Sequence, residues 1–301
     1  MGVPDGYGRR VSSPWSPERE VSETETRDAV RTCGLAGDDV RIVAAGWDNT
    51  IVRVDDDWVF RFPRRSIALP GIDREIALLP LLAPKLSLPI PVPEHVGVYG
   101  DPPWRFWGAR HLPGTELAVT PGADTLAIAA AVGRFLAELH SLPTDPDLPV
   151  DPFGRADAAD RATRARDALA ELEDLNSEDV DAVLADGKSA GPPPTATVLS
   201  HGDLYSRHVL VDEDGQASGI IDWGDLCAAP RAVDLSIAYS AFHGESREAL
   251  FAEYGSIDAD TELRARVMAI FSTASVAAYA RDVGQPELMA HALAGILHAA
   301  R

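Results

Sequence analysis

The stretch His201-Gly202-Asp203-Leu204-Tyr205-Ser206-Arg207-His208, with Asp222 following in Ile220-Ile221-Asp222-Trp223-Gly224-Asp225, restricts this chain more than any other part of it. Val198-Leu199 leads into the segment and Val209-Leu210-Val211 leaves it as a short apolar strand. Asp212-Glu213-Asp214-Gly215 reads as a turn, and Ala217 to Ile221 returns as a second strand. Such a hairpin folds Asp222 back beside Asp203 and His208. An aspartate after a glycine is by itself an ordinary turn residue. Two carboxylates and an imidazole at the base of one hairpin are a different matter. Phosphoryl transfer uses one carboxylate to orient a hydroxyl and another to hold Mg²⁺ on a nucleotide. His201 reads as support for the loop rather than as chemistry, and Asp234 as a solvated or capping residue or as a tie between the loop and the helix that follows.

The N-terminal half has strand periodicity. Val40 to Ala44, Thr50 to Val54 and Trp58 to Phe62 are short β-type runs, separated by Gly46-Trp47-Asp48-Asn49 and by Asp55-Asp56-Asp57. Gly46 would let backbone approach a phosphate, with Asn49 as a short donor; the same residues also suit a plain turn. In the third run Arg61 shares a face with Val59, opposite Phe60 and Phe62, so it lies within a strand and wants a counterion. Glu75 offers one, on a helical segment Asp73 to Leu82 whose Ile76, Leu78, Leu79 and Leu82 turn it toward the sheet. A Pro-rich connection, Pro84 to Pro93, precedes two more strand-like runs, Glu94 to Tyr99 and Arg105 to His111.

These features together resemble the aminoglycoside phosphotransferases and their macrolide-phosphorylating relatives, which share the protein-kinase architecture. Where protein kinases carry H-R-D-x-x-x-x-N and D-F-G, this chain has H-G-D-x-x-x-x-H and D-W-G. The resemblance covers roughly residues 25 to 300. It implies an α+β, two-lobed fold, with a small antiparallel N-lobe sheet carrying one main helix and a larger, mostly helical C-lobe. The lobes would span residues 23–112 and 113–301, after a flexible tail at 1–22. Asp203 is then the catalytic base, Asp222 the main Mg²⁺ ligand, and His208 the residue in place of the metal-binding Asn. Arg61 would grip nucleotide phosphates with Glu75 holding it, the pair being otherwise a plain stabilising ion pair. Arg replaces the usual Lys, and its fork still suits phosphate and carboxylate together. Gly46 and Asn49 fall in the phosphate-facing turn, and the backbone near Arg110 and Leu112 forms the hinge that meets the purine. Small Ala109 leaves the base pocket permissive, so ATP is the default donor and GTP stays open.

Composition narrows the partners. The formal net charge of −20 would repel a nucleic acid backbone and attract a cationic small acceptor, though an acidic surface also serves solubility. Apolar runs are too short to span a bilayer, and Met1 to Pro17 lacks the apolar centre of a signal peptide. Cys33 and Cys227 are far apart and without metal-ligand spacing, which fits a reducing cytoplasm.

The remaining segments read as helices. Thr125 to Leu142 is a core helix closely packed at Gly133, with His140 as a core histidine. Ala156 to Leu175 is a charged helix, and Gly187 to Pro194 a flexible break. Asp234 to Phe242, Arg247 to Tyr254, Glu262 to Arg281 and Pro286 to Ala300 form a terminal bundle. Acidic Asp225, Glu245 and Glu253 read first as ordinary surface carboxylates and second as candidates for acceptor amines. The expected activity is transfer of a γ-phosphoryl to a hydroxyl, with an aminoglycoside as first acceptor, a macrolide as second, and a metabolic alcohol such as choline or homoserine as third. A nucleotide-binding pseudokinase is the reading from another class, and the subunit number is left open.

Overall fold

The structure, a computed structural model, describes residues 17–46, 48–120, 123–172 and 177–301. Trp47, the first sixteen residues of the expected tail, and Glu173, Asp174 and Leu175 of the expected charged helix lie outside the described residues. The described chain divides into two compact units. One runs to Pro84 and adds Pro91–His111; the other is Lys85–Ile90 with Leu112–Arg301.

In the first unit, strands β1 (Val40–Ala45), β2 (Asn49–Val54), β3 (Trp58–Pro63), β4 (His95–Tyr99) and β5 (Trp104–Arg110) form an antiparallel sheet in the order β1-β2-β3-β5-β4. Alternation along β3 sends Phe60 and Phe62 to one face, where they join Val52, Val54, Trp58 and Phe106. Helix α1 (Glu23–Thr32) covers that face with Ala29 and Val30. A capping box starts α1: Ser22 Oγ accepts from the Glu25 amide, and Glu25 reaches back to the Ser22 amide. On the opposite face, helix α2 (Leu69–Leu82) sets Ile72 and Ile76 against Trp107 and Ala109. Residues 17–22, assigned from the sequence to the tail, make specific contacts in this unit. Val21 is buried, the Glu18 and Arg19 amides donate to the Arg64 carbonyl at 2.9 Å, and Arg19 stacks on Trp104.

The second unit begins with strand β6 (Thr115–Glu116) and helix α3 (Thr125–Ser141), followed by α4 (Ala158–Ala170) and α5 (Glu178–Ser189). Helix α5, which the sequence reading did not include, starts at the Ser177 cap with acidic Glu178, Asp179 and Asp181 in its first turn, and its end at Ser189 runs into the stretch Gly187 to Pro194 expected as a break. The short strands β7 (Val198–Ser200), β8 (Val209–Val211), β9 (Ala217–Ile220) and β10 (Cys227–Ala229) come next. Strand β7 pairs with β10, and β8 lies between β6 and β9. Helices α6 (Ala232–Ser240), α7 (Glu245–Tyr254), α8 (Ala259–Val283) and α9 (Pro286–Ala299) complete the chain, with α8 packed against α4, α6 and α9.

Helices α3 and α7 meet at Gly133. A Cβ added there would lie 2.2 Å from the Leu250 carbonyl oxygen. Backbone cannot yield as a side-chain end would, so Gly133→Ala is expected to cost about 1–3 kcal/mol of stability. A denaturation midpoint equal to wild type in urea would show that the crossing is looser than this.

Candidate active site

The loop 201–208 joins β7 to β8 and is held from helix α6. Asp234, fully buried, accepts the His201 amide on Oδ2 at 2.8 Å and the Gly202 amide on Oδ1 at 2.9 Å. Oδ2 also lies 3.2 Å from His140 Nε2, whose other ring nitrogen meets the Tyr254 hydroxyl at 2.8 Å. Burial works against the charge on Asp234, yet the hydrogen bonds from His140 and the loop amides hold its carboxyl below the ordinary range. His140 is thus a core histidine with a specific task. Gly202 has φ +86, and a Cβ on it would meet the Asp225 carbonyl oxygen at 2.2 Å, so conformation and space both call for glycine there.

His201 braces the loop from inside. Its Nδ1 accepts from the Asp203 amide at 3.3 Å and its Nε2 donates to the Ile221 carbonyl at 3.0 Å. Burial keeps this imidazole below its ordinary pKa and therefore neutral at pH 7. The buried Trp223 packs 4.6 Å from the His201 ring.

The lowered pKa values of His201 and Asp234 act on stability with the same sign. Below a group's ordinary value the unfolded chain takes up a proton that the folded chain refuses, so stability rises with pH. The His201 contribution is complete above about pH 6.5 and is lost as pH falls from there; the Asp234 contribution is lost only below about pH 3.9. Melting temperature is expected to fall between about pH 7.5 and about pH 5. A flat profile would contradict the neutral brace.

Asp203, His208 and Asp222 come together as the hairpin reading required. The β8–β9 register sets Val209 opposite Ile220, and the Ile221 amide continues the ladder to the His208 carbonyl at 2.9 Å. His208 Nδ1 donates to the Asp203 carbonyl at 2.8 Å, and Nε2, which carries a lone pair when the ring is neutral, lies 3.4 Å from Asp222 Oδ2. A ring nitrogen with a lone pair and a carboxylate oxygen so close are suited to sharing one cation. Asp222 has φ 66, a sparsely populated conformation for a residue with a side chain and one that gathers at functional sites. The Asp203 carboxylate is half-buried and meets Arg155 Nη2 at 3.2 Å. Burial raises its pKa above the ordinary carboxylate value, and the charges of Arg155 and His208 offset part of that rise.

Within the first unit, Arg61 and Glu75 are both buried and paired, with Nη1 3.2 Å from Oε1. Trp107 Nε1 donates to Glu75 Oε2 at 2.9 Å, an orienting contact that the sequence reading did not include. Gly46 and Asn49 close the β1–β2 turn through a 2.9 Å bond from the Gly46 amide to the Asn49 carbonyl. Among the described residues a Cβ on Gly46 would meet that carbonyl alone, at 3.5 Å, which is ordinary contact. Arg110 ends β5 with its side chain exposed, stacked over Trp58 and 3.7 Å from Asp57. Leu112 belongs to the second unit, where its side chain packs beside Gly219. Of the suggested acceptor carboxylates, Asp225 is bound to Arg155 and Glu253 to Arg134, while Glu245 sits in the first turn of α7. Among the described residues no helix is long and apolar enough to cross a membrane.

Comparisons with known proteins bear on the family and the fold. A model of the phosphotransferase enzyme family matches residues 39–269. Over 124 residues the chain is 32% identical to an aminoglycoside 3'-phosphotransferase of Streptomyces ribosidificus, a stretch that makes up 39% of this chain and 46% of that protein. The GDP complex of wild-type aminoglycoside 2'-phosphotransferase-IIIa superposes with a TM-score of 0.68, covering 93% of this chain and 99% of that one at 21% identity. The apoenzyme of macrolide 2'-phosphotransferase MphH from Brachybacterium faecium does so with a TM-score of 0.60, covering 91% and 97% at 25% identity. A five-stranded antiparallel sheet followed by a helical unit is the fold shared with these structures.

Proposed function

The chain belongs to the phosphotransferase enzyme family, and from that premise we propose that it moves the γ-phosphoryl of ATP or GTP to a hydroxyl of a small molecule, an aminoglycoside first among the candidates. The observation that carries the reading is the gathering of Asp203, His208 and Asp222 at the base of one hairpin, with Asp222 held in a strained backbone conformation. In the proposed reaction the acceptor oxygen forms the new bond to the γ-phosphorus, and the bond from that phosphorus to its bridging oxygen breaks. The nucleoside diphosphate leaves with the electron pair, and the acceptor proton goes to Asp203.

Asp222 and His208 would hold Mg²⁺, whose charge offsets that of the triphosphate. An oxygen and a nitrogen donor fit an ion that takes few protein ligands and draws others from phosphate and water, although imidazole is a softer ligand than Mg²⁺ prefers. Arg61 would bind phosphate oxygens, with Glu75 fixing its guanidinium. The Streptomyces relative and the aminoglycoside 2'-phosphotransferase neighbour support the acceptor class, and the strongly acidic chain suits a polycation. The likeness to the Brachybacterium enzyme supports a macrolide as the second acceptor. A cytoplasmic location accords with free Cys33 and Cys227.

The test is direct. The protein is incubated with Mg²⁺ and ATP or GTP against aminoglycosides, macrolides, choline and homoserine, and diphosphate release is read together with the mass of the acceptor. Phosphorylated aminoglycoside is the expected product. Nucleotide binding without any phosphorylated acceptor would favour a pseudokinase.

The charge pair of the first unit can be tested separately. Glu75→Gln is expected to impair nucleotide KM and kcat, while Arg61→Lys retains partial activity as a point charge without the fork. A purely structural pair would lower melting temperature in both variants and leave the kinetics of the folded fraction unchanged.

A further inference from the structure

Arg155 plays no part in the reading above, although its guanidinium touches the residue at the centre of it. One nitrogen, Nη2, lies 3.2 Å from Asp203 Oδ1 and 2.6 Å from Asp225 Oδ2. The side chain is mostly buried, and the Phe153 ring packs 4.7 Å from its Cζ. The segment carrying it is itself pinned. The Asp151 carboxylate accepts the amides of Arg155 at 2.8 Å and Ala156 at 2.9 Å, and the Asp151 amide donates to the Ala228 carbonyl on β10 at 2.8 Å. Arg161 donates to the carbonyls of Phe153 and Gly154. An arginine anchored at so many points differs from a solvated surface cation.

A general base needs one carboxylate oxygen held toward the hydroxyl it serves. The terminal torsion of an aspartate is soft, so a half-exposed carboxylate does not keep one orientation unaided. The negative Asp225 shares the same guanidinium nitrogen and would otherwise repel Asp203. Arg155 engages Oδ1, and Oδ2 is the oxygen left to take the acceptor proton. Resting on the phosphotransferase reading, we infer that Arg155 is a positioning residue that locks the Asp203 carboxylate in its working orientation and draws Asp225 aside.

The test uses the full chain, kanamycin as probe acceptor, and nucleotide hydrolysis to water as a readout that needs no acceptor. Arg155→Ala is expected to lower kcat by about 10-fold to 100-fold with nucleotide KM nearly unchanged. Arg155→Lys keeps part of the activity, and guanidinium ion at low, non-denaturing concentration restores part of it to Arg155→Ala. In an Asp203→Asn background Arg155→Ala causes no further loss, because the carboxylate it orients is gone. Should Arg155→Ala fold poorly, Arg155→Lys and Asp225→Asn carry the same kcat-against-KM comparison. If Asp203→Asn is impaired while folded Arg155 variants turn over at the wild-type rate, the positioning role is overturned and the phosphotransferase reading stands. If Asp203→Asn turns over normally, or the wild-type chain neither phosphorylates nor hydrolyses, that reading falls and the Arg155 inference falls with it.

Discussion

Asp203→Asn is expected to lower turnover by about 10²-fold to 10⁴-fold while nucleotide affinity stays close to wild type. The amide is nearly the same size and can still accept from Arg155, so the loop keeps its shape, but it cannot take a proton from the acceptor. The His208 ring is held by the Asp203 carbonyl rather than by its side chain, which leaves the neighbouring imidazole undisturbed by the substitution. Steady-state kinetics beside a nucleotide-binding isotherm decide the matter. Near-normal turnover would remove Asp203 from the mechanism; a parallel loss of binding would mean that it serves the nucleotide.

The second large effect is expected at Asp222. Asp222→Ala removes the carboxylate proposed to hold the metal, so Mg²⁺-dependent nucleotide binding should disappear and activity with it. Alanine also strains the backbone at φ 66, and Asp222→Asn separates the two effects because asparagine tolerates that conformation better. His208→Asn is expected to preserve or raise activity with Mg²⁺ by supplying an oxygen donor. Binding measured with and without EDTA reads the metal dependence. Metal-independent nucleotide binding in Asp222→Ala equal to wild type would count against the assignment. An inactive but folded His208→Asn would mean that the imidazole does something an oxygen ligand cannot.

Much of the candidate site was legible because its parts are close in sequence. A loop and a hairpin bring Asp203, His208 and Asp222 together through the β8–β9 register, which turn residues and alternating apolar positions declare locally. Arg61 was legible for a similar reason: strand alternation marks a charged residue on a buried strand, and the next amphipathic helix supplies its partner. Arg155 left no comparable mark. It lies far along the chain from Asp203 and Asp225, in a segment of no regular structure, and only tertiary folding makes it a neighbour. Trp107 is another such case, since nothing in its strand pattern says that its indole will reach Glu75.

Two helices passed unnoticed although their signals were present. Ser22 and Glu25 spell a capping box, and Ser177 with Glu178 and Asp179 spells a helix start. The second ends inside the Gly- and Pro-rich stretch Gly187 to Pro194, whose composition reads as a break. Strands β6 and β10 are only two and three residues long, too short for periodicity to exist.

The bond from Trp107 to Glu75 makes the charge pair optically visible. An indole whose N–H is held by a buried carboxylate, with a guanidinium 5.8 Å from its ring, emits in a field set by those two charges. Under the proposed clamp, a phosphate that drew Arg61 away from Glu75 would alter that field. Subtracting the emission of a Trp107→Phe variant isolates this fluorophore from the other tryptophans, so the proposed arrival of nucleotide would be read in stopped flow without an added dye.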